Sequence, residues 1–291
     1  MDRKNNTKLR ILGGRENMKI TQILSLLIAL FVLVVPLSIN QLANGATADF
    51  NDILKSAQKG DPNVQMKLGI MFHDGIGIPQ DHKEAVKWYT KAAEQGHDLS
   101  QFFLGQMFDK GRGVPQDYKE AVKWYTKAAE QGNAEAQYFL GAKFDFGEGV
   151  PQNYKEAVKW YTKGAEQGDA EAQYNLGLMF YHGNGVSQDY KVTLKWFTKA
   201  AEQGLAVAQY NLGFMFYKGK GVPEDHVQAY KWCIFAAAQG NQDAVKLRDL
   251  LKQKMTAQQI AEAQRLAKEF KPRIKNATED STTPKQGEKP Y

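Results

Sequence analysis

The sequence has few of the residues that build cross-linked or metal-bound proteins. Among its 291 residues there is one cysteine, Cys233, and there are five histidines. A single cysteine excludes an internal disulfide framework and a cluster of cysteine ligands. The histidines fall at different repeat positions or far apart and none belongs to an H-E-x-x-H pair, so we predict neither a metal site nor a bound cofactor. Cys233 lies beside Trp232 on an apolar helix face, which indicates an inert buried thiol.

An excess of charge of one sign is also missing from most of the chain. The net charge is +6, but residues 1–48 hold six basic and only two acidic residues, which leaves 32 basic and 30 acidic residues in 49–291. A nearly neutral body lacks the basic surface of a nucleic-acid-binding protein, so we predict no nucleic-acid partner. With 43% apolar residues, the chain can build a packed core.

No apolar run has the length of about 20 residues that a membrane-spanning helix needs. The apolar segment over residues 23–37 follows Lys19 and precedes small and polar residues, which is the order of a bacterial secretory signal. We therefore place a signal peptide at residues 18–48, with cleavage after Ala48 or, as an alternative, after Gly45. A periplasmic or secreted protein is expected. Retention of the segment as a membrane anchor is the other alternative, and Pro36 disfavours it.

Residues 1–17 precede a better start for such a signal, because Met18 and Lys19 would open it with a basic residue. Residues 13–16 can be encoded by a purine-rich sequence of the kind that bacterial ribosomes bind, at a suitable distance from a Met18 codon. We interpret 1–17 as a mis-assigned start, and the codons of the gene would test this hypothesis.

A 36-residue period runs through residues 57–251. Each tryptophan follows the previous one by 36 residues, and four series of glycines keep the same interval. Periods of this length are typical of stacked helical hairpins, which bury their apolar faces only against their neighbours. The tryptophans are Trp88, Trp124, Trp160, Trp196 and Trp232.

Residues 133–168 show the pattern of one unit. Asn133 is the predicted N-cap of a first helix, and a G-x-G turn follows that helix. Asn153 is the predicted N-cap of a second helix, with Glu156 as its partner in a capping box. Gly168 ends the second helix. The apolar stripe predicted to enter the core consists of Ala157, Trp160, Tyr161, Gly164 and Ala165.

These residues resemble the Sel-one-like repeat (SLR) family, a relative of the tetratricopeptide repeats. The family pattern reads A-x3-L-G, an aromatic residue, G-x-G-V-x-x-D and A-x2-W-x3-A-A-x2-G. The resemblance covers about residues 57–251 and implies an all-α, right-handed α-solenoid of two-helix repeats that works as a scaffold or adaptor. The unit departs from the pattern at Asn153, where Asp is usual, and at Gly164, where Ala is usual. The matching positions are Ala136, Leu140, Gly141, Gly147, Gly149, Val150, Ala157, Trp160, Ala165 and Gly168.

The two ends of the repeat region have their own predicted roles. The solenoid is expected over 49–255, and its first residues align with the end of a second helix, so they form a half-repeat that caps the stack. Thr256 is the predicted N-cap of a final amphipathic capping helix over 256–270. Residues 271–291 are rich in proline, threonine and charge, and we predict a disordered tail.

First-helix positions that vary between repeats form the candidate binding surface. In related helical repeats, the positions two before, two after and five after the Leu of the Leu-Gly pair line a concave groove. About half of these side chains are expected to pack between repeats. Tyrosine is a frequent interface anchor, and the two aspartates would suit an extended peptide that bears a basic residue. The candidate partner-binding residues are Phe102, Tyr138, Tyr174, Tyr210, Tyr181, Tyr217, Phe214, Asp109 and Asp145.

A regular series of lysines lies on the second helices, beside a series of glutamates. We interpret this stripe as a solvated outer face, and contact with an anionic lipid or polymer is the alternative. The lysines are Lys87, Lys91, Lys123, Lys127, Lys159, Lys163, Lys195 and Lys199.

The predicted function is that of an exported bacterial scaffold or adaptor that binds a protein or peptide on its concave face. As an alternative, the tyrosines would stack on peptidoglycan or another saccharide. A hydrolase is the third reading, but no nucleophile and base occur together in a recognisable pattern, so we expect no enzyme. The G-x-G turns lack the preceding strand and the third glycine of a nucleotide-binding loop.

Overall fold

The computed structural model describes residues 50–270. The leader with its predicted cleavage site and the tail predicted to be disordered lie outside the described residues. Every regular element within 50–270 is a helix, so the all-α prediction is confirmed. None of the helices in this range is both long and apolar enough to cross a bilayer. The described residues divide into two compact units, with the boundary between Trp88 and Tyr89.

The described part of the first unit contains α1 over residues 50–58, α2 (Pro62–Asp74) and the start of α3 (His82–Glu94). Ala57 of α1 is fully buried with Leu68 of α2 and Trp88 of α3. The Gln65 amide donates a hydrogen bond of 3.1 Å to the Ala57 carbonyl oxygen. In this unit, α1 thus supplies the buried alanine that the second helix of the preceding repeat supplies to the later first helices.

The second unit repeats one two-helix pattern. First helices, which carry the Leu-Gly pair, alternate with second helices, which carry the tryptophan. The helices are α4 (Asp98–Lys110), α5 (Tyr118–Glu130), α6 (Ala134–Phe146), α7 (Tyr154–Glu166), α8 (Ala170–His182), α9 (Tyr190–Glu202), α10 (Ala206–Lys218), α11 (His226–Ala238), α12 (Gln242–Lys254) and α13 (Ala257–Glu269). Consecutive helices from α4 to α12 pack against each other, as in a solenoid, and α13 packs against α11.

Side-chain caps start most of these helices, and α10 lacks one because Leu205 stands at its N-cap position. The Asn133 side chain accepts a hydrogen bond from the Ala136 amide, and Asn153 accepts from the Lys155 and Glu156 amides. The predicted capping box at Asn153 is wrong in its second half. Glu156 pairs with Lys159 at 3.1 Å instead of returning to the cap, because a cation three residues along the helix attracts the carboxylate. Among the described helices, only α13 has a complete box, between Thr256 and Gln259.

The G-x-G turns bring each repeat against the one before it. Gly147 ends α6 in the left-handed conformation, with φ of 73°. Gly149 also has a positive φ, and a Cβ there would overlap the Tyr118 carbonyl oxygen at the start of α5. The second glycine of the turn therefore permits a backbone contact that no other residue allows.

The Leu-Gly pair makes room for a ring from the following helix. A Cβ on Gly141 would lie 2.7 Å from the ring of Tyr161, which is fully buried. The glycine is thus needed for the ring to pack against the α6 backbone. All five members of the predicted core stripe on α7 are buried, which confirms that prediction.

Buried glutamines link consecutive repeats in a column. The Gln137 amide donates to the Ala129 carbonyl oxygen at 3.0 Å, and the Gln167 amide donates to Gln137 Oε1 at 2.7 Å. The same two bonds recur at Gln173 and Gln209. Because buried amides need partners, this glutamine column fixes the spacing of consecutive repeats.

The last two helices close the stack. α12 takes the place of a first helix, with Leu247 and Leu251 buried. On α13, Ala263 is fully buried, and the Phe270 ring that follows the helix lies 5.2 Å from the Trp232 ring. α13 thus packs against α11, the last helix that carries a tryptophan.

Candidate partner-binding surface

We call the nine predicted partner-binding residues the candidate strip. They lie on the first helices α4, α6, α8 and α10, all within the second unit. Side chains three and four positions apart share one face of a helix, so each first helix contributes its residues to the same side. The burial and the partners of these side chains differ from one repeat to the next.

Phe102 belongs to the core and not to the surface. Its side chain is 2% exposed, and its ring lies 6.0 Å from the Tyr125 ring and 5.7 Å from the Phe139 ring. Phenylalanine lacks the hydroxyl that keeps a tyrosine at a wet boundary, so it sinks fully between its neighbours. The assignment of Phe102 to the partner surface is therefore corrected.

The Tyr174 ring and its hydroxyl both have partners within the chain. The ring is stacked on Phe197 at 5.3 Å between centroids, and the hydroxyl accepts a hydrogen bond of 3.0 Å from Asn211 of the next repeat. Burial raises the pKa of this phenol. Tyr174 thus connects two repeats and offers a partner only the exposed part of its ring.

Two further tyrosine hydroxyls accept bonds from lysines of the following repeat. Lys220 Nζ donates to Tyr181 at 2.5 Å, and Lys254 Nζ donates to Tyr217 at 3.1 Å. The bond from Lys254 lowers the pKa of Tyr217. Phe214 lies beside Tyr217, with 6.5 Å between the rings. This end of the candidate strip therefore carries ammonium groups as well as aromatic rings.

Tyr138 and Tyr210 differ from the other tyrosines of the candidate strip. Both are partly buried, and among the described residues neither hydroxyl has a hydrogen-bond partner. The Tyr138 ring meets Phe139 edge-on at 5.0 Å, and Tyr210 lies 6.4 Å from Phe214. Burial raises the pKa of both phenols, so both stay neutral and able to donate a proton in a hydrogen bond.

Asp109 already has a cation from its own chain. Lys143 of the next repeat forms ion pairs with Asp109 and, at 2.6 Å, with Glu148. The lysine side chain is only 6% exposed, and its ammonium lies 4.5 Å from the centre of the Tyr118 ring. Burial lowers the pKa of Lys143, but the bonds from Asp109 and Glu148 outweigh it and raise the pKa, so the ammonium stays charged. The prediction that Asp109 meets a basic residue of a partner is corrected.

Asp145 occupies the equivalent position one repeat later, without that cation. Its carboxylate accepts a bond of 3.4 Å from the Tyr161 hydroxyl, and burial raises its pKa. No lysine or arginine in the described part of the chain forms an ion pair with it. The residue that corresponds to Lys143 is Met179.

A second acidic group lies at the opposite end of α6 and was missed by sequence reasoning. Burial and then the charge of Asp169 raise the pKa values of Glu135 and Glu171, so the Asp169 carboxylate lies close enough to repel each of the two glutamates. A signal for the group exists in the sequence. The second position of a first helix is acidic in these two consecutive repeats, whereas it is Leu99 in the repeat before and Val207 in the repeat after.

The lysine stripe of the second helices is exposed and engaged with its own helices. Lys127 Nζ lies 4.0 Å from the centre of the Trp124 ring, and Lys163 Nζ lies 4.2 Å from that of Trp160. Lys123 pairs with Glu120 one turn away. These lysines thus lie over the tryptophan rings, an arrangement worth about 0.5–1 kcal/mol at an exposed site.

The remaining reactive groups offer no alternative site in the described part of the chain. Residues 50–270 contain no group of three or more His, Cys, Asp or Glu side chains placed to hold a metal ion. Cys233 is fully buried, and burial raises its pKa to about 12. An open groove of about 580 Å³ beside α13, lined by Tyr230, Arg248 and Lys268, lies apart from the candidate strip and carries mixed charge.

Comparison with known proteins matches the repeat unit and the fold. The model of the Sel1 repeat matches five consecutive segments, 62–97, 98–133, 134–169, 170–205 and 206–241. A protective antigen present in uropathogenic Escherichia coli strains, described as displaying an SLR fold, is 36% identical with a TM-score of 0.71. That alignment covers 81% of this chain and 52% of the antigen, so the chain spans about half of the antigen's length.

A second similar structure is a Sel1 repeat protein from Oxalobacter formigenes. It is 35% identical with a TM-score of 0.64, and the alignment covers 73% of this chain and 86% of that protein. No curated protein matches the chain. The five matched segments begin at the first helices, in the register that the tryptophan period predicts.

Proposed function

The chain belongs to the Sel1 repeat family, a family of helical scaffolds that are generally not enzymes, and from this premise we propose that it is an exported adaptor. Its first helices would bind a protein or an extended peptide. The family resemblance implies that these helices line the concave side of the solenoid. Catalysis is not part of the proposal, since the strip brings aromatic rings and carboxylates together without a nucleophile and its base.

One observation carries the proposal. Tyr138, Tyr174 and Tyr210 place one partly buried ring in each of three consecutive repeats, at the same position and on the same side. A half-buried aromatic ring with a polar tip is already ordered by its neighbours, so a partner gains contact area at little cost in side-chain entropy. A row of such rings provides anchor points at regular intervals along an extended partner.

Contacts of the rings favour a peptide over a saccharide. A sugar stacks on the face of an aromatic ring, but one face of Tyr174 is already stacked on Phe197. A peptide side chain can also use a ring edge or, at Tyr138 and Tyr210, a hydroxyl that has no hydrogen-bond partner among the described residues. Co-sedimentation of the purified protein with insoluble peptidoglycan tests the saccharide reading directly, and strong retention there would contradict the peptide proposal.

Export is the second part of the proposal and depends on residues 18–48 of the sequence. The short apolar segment, the preceding Lys19 and the small residues before Asp49 support removal of a signal peptide after Ala48. We expect N-terminal sequencing of protein from the native host to find a start near Asp49, in the envelope or the medium. An intact residue 18 would contradict this expectation.

Substitution of the ring row tests the binding surface. We expect Tyr138→Ala, Tyr174→Ala and Tyr210→Ala to weaken binding of a partner captured from an envelope lysate by about 1–3 kcal/mol each. The double change Lys123→Ala with Lys127→Ala, on the second helix α5, is the control and is expected to leave the affinity unchanged. If the lysine changes abolish binding and the tyrosine changes do not, the site lies on the second helices and an acidic polymer or membrane surface becomes the partner.

A further inference from the structure

We propose that Asp145 and the rings around it receive a basic side chain of the partner, so that the ligand of this scaffold is an extended peptide with lysine or arginine. The inference rests on the proposed function, because it concerns the same face of the protein. It is carried by a comparison of two consecutive repeats. In one repeat the chain supplies the cation itself, and in the next it does not.

The site around Asp109 shows which group fits this position. The Gln116 amide donates to the Asp109 carbonyl oxygen at 2.7 Å and to the Tyr118 hydroxyl at 3.1 Å. The Tyr125 hydroxyl approaches the Asp109 carboxylate at 3.4 Å. Into this frame Lys143 brings its ammonium, between the carboxylate and the face of the Tyr118 ring. Carboxylate and aromatic face together are the surroundings that a cation prefers.

The site around Asp145 has the same frame. The Gln152 amide donates to the Asp145 carbonyl oxygen at 2.7 Å and to the Tyr154 hydroxyl at 3.1 Å. The Tyr161 hydroxyl approaches the Asp145 carboxylate at 3.4 Å. These three distances equal those around Asp109, so carboxylate and ring are held in the same way in both repeats.

The two sites differ in the residue that arrives from the following repeat. Met179 stands where Lys143 stands one repeat earlier, and Asn184 stands where Glu148 stands. Methionine supplies the apolar stem of the lysine but no charge. Asp145 therefore keeps a carboxylate that burial has partly desolvated, beside the Tyr154 ring, which is 37% exposed. A desolvated carboxylate at a surface gains more from an arriving cation than a fully hydrated one.

The acidic group at the other end of α6 extends the same preference. Glu135 and Asp145 are ten residues apart, which places them about 15 Å apart along the helix and within one face. An extended peptide covers that distance in about four or five residues. Tyr138 lies between the two carboxylates on that face. The arrangement fits a partner segment that crosses the row of tyrosines at Tyr138, with basic side chains four or five positions apart and an apolar or aromatic residue between them.

The test uses a synthetic, fluorescein-labelled peptide with two lysines four positions apart and a leucine between them, and a matched peptide with norleucine in place of lysine. Fluorescence anisotropy with the purified protein gives the affinities. Asp145→Asn removes the charge of the site. Met179→Lys supplies an internal ammonium, as Lys143 does for Asp109. Glu130→Gln, on α5, is the matched control because it removes one exposed carboxylate away from the strip.

We expect Asp145→Asn and Met179→Lys each to weaken binding of the lysine peptide about tenfold, and Glu130→Gln to change it less than about twofold. The norleucine peptide is expected to bind the wild type and all three variants with the same affinity. Thermal melts show whether each variant is folded. If Met179→Lys does not fold, because the position is buried, the affinity of Asp145→Asn for the lysine peptide tests the proposal.

Absence of lysine-peptide binding to the wild type, or wild-type affinity of Asp145→Asn, would overturn the inference. The proposed function fails separately, if the tyrosine changes leave capture of the lysate partner unaffected. Loss of that capture in the tyrosine variants, together with wild-type behaviour of Asp145→Asn, would retain the adaptor and reject a basic ligand at this position.

Discussion

Lys143 occupies a position that is methionine in the other four repeats, and it carries a charge into the packing between two of them. A buried ammonium is tolerated because two carboxylates and a ring face surround it. The lysine thereby neutralises Asp109 within the chain. Whether Asp109 is available to a partner is thus set by a residue that does not itself reach the surface.

Substitution of Lys143 tests how much its charge contributes to the stability of the fold. In Lys143→Met, the Asp109 carboxylate, 12% exposed, loses its cation, and we expect a loss of about 1–3 kcal/mol in the free energy of unfolding. The double variant with Asp109→Asn should recover most of this loss, since no charge then remains unpaired. Urea denaturation measures both, and a double variant less stable than Lys143→Met would contradict this account.

Cys233 provides a reporter of opening at the C-terminal end of the stack. Burial raises the pKa of its thiol to about 12, so very little thiolate is present at pH 8. We expect no reaction with a thiol-specific disulfide reagent in the native state and complete reaction in urea. Rapid reaction of the native protein at pH 8 would show that α11 is not packed as described.

Individual residues were the least predictable part of this molecule from sequence. The burial of Phe102 depends on Phe139, which lies 37 residues further along the chain, and the pairing of Asp109 depends on Lys143, 34 residues further. Position within a repeat identifies the face on which a side chain lies. It does not identify which neighbour fills the space beside it.

At the scale of elements, prediction from sequence was more successful because each helix carries its own start and stop signals. Asn133, Asn153 and Thr256 cap the helices that follow them, and glycine ends the first helices. The failure at Glu156 has a local cause: the capping box competes with the Lys159 ion pair one turn further along. Sequence rules identify the groups with which a side chain such as Glu156 can interact, and the geometry of the helical turn determines which of these interactions forms.

The G-x-G turn gives a prediction at this scale with a matched control. Gly149 and Gly132 both have positive φ, but a Cβ on Gly149 would overlap the backbone of the previous repeat, whereas a Cβ on Gly132 meets no atom within 4 Å. Gly132→Ala is expected to cost about 1 kcal/mol, from the backbone conformation alone. Gly149→Ala should cost clearly more, about 3 kcal/mol, because helix α5 must also move. Equal midpoints of thermal unfolding for the two variants would contradict the contact.

For the whole molecule, the fold could be predicted from one sequence because the repeat shows the same evidence five times. Trp88 and its four successors define the period, and the period defines the hairpin. The repetition does not help to predict a binding surface. That surface consists of positions at which the repeats carry different residues, such as Lys143 and Met179, and each difference occurs only once in the sequence.

Deletion of one repeat is the prediction that belongs to the whole chain. If residues 134–169 are removed, Asn133 takes over the cap that Asp169 provides for α8, and Gln173 meets the Ala129 carbonyl in place of Gln137. We expect a folded helical protein with a lower unfolding midpoint, measured by circular dichroism. Deletion of residues 134–151, half a period, is the control and should prevent cooperative unfolding. Equal behaviour of the two deletions would contradict the modular stack.

The glutamine column also has a consequence at the level of the gene. Residues 114–132 and 150–168 differ at only two of nineteen positions, so recombination between the DNA segments that encode them would join equivalent points of two repeats. Such an event adds or removes 36 codons and keeps the reading frame. Because every glutamine finds the same donor and acceptor in whichever copy becomes its neighbour, the products inherit a complete column. Gain or loss of one repeat can therefore lengthen or shorten the row of partly buried tyrosines in a single step, and the product can still fold.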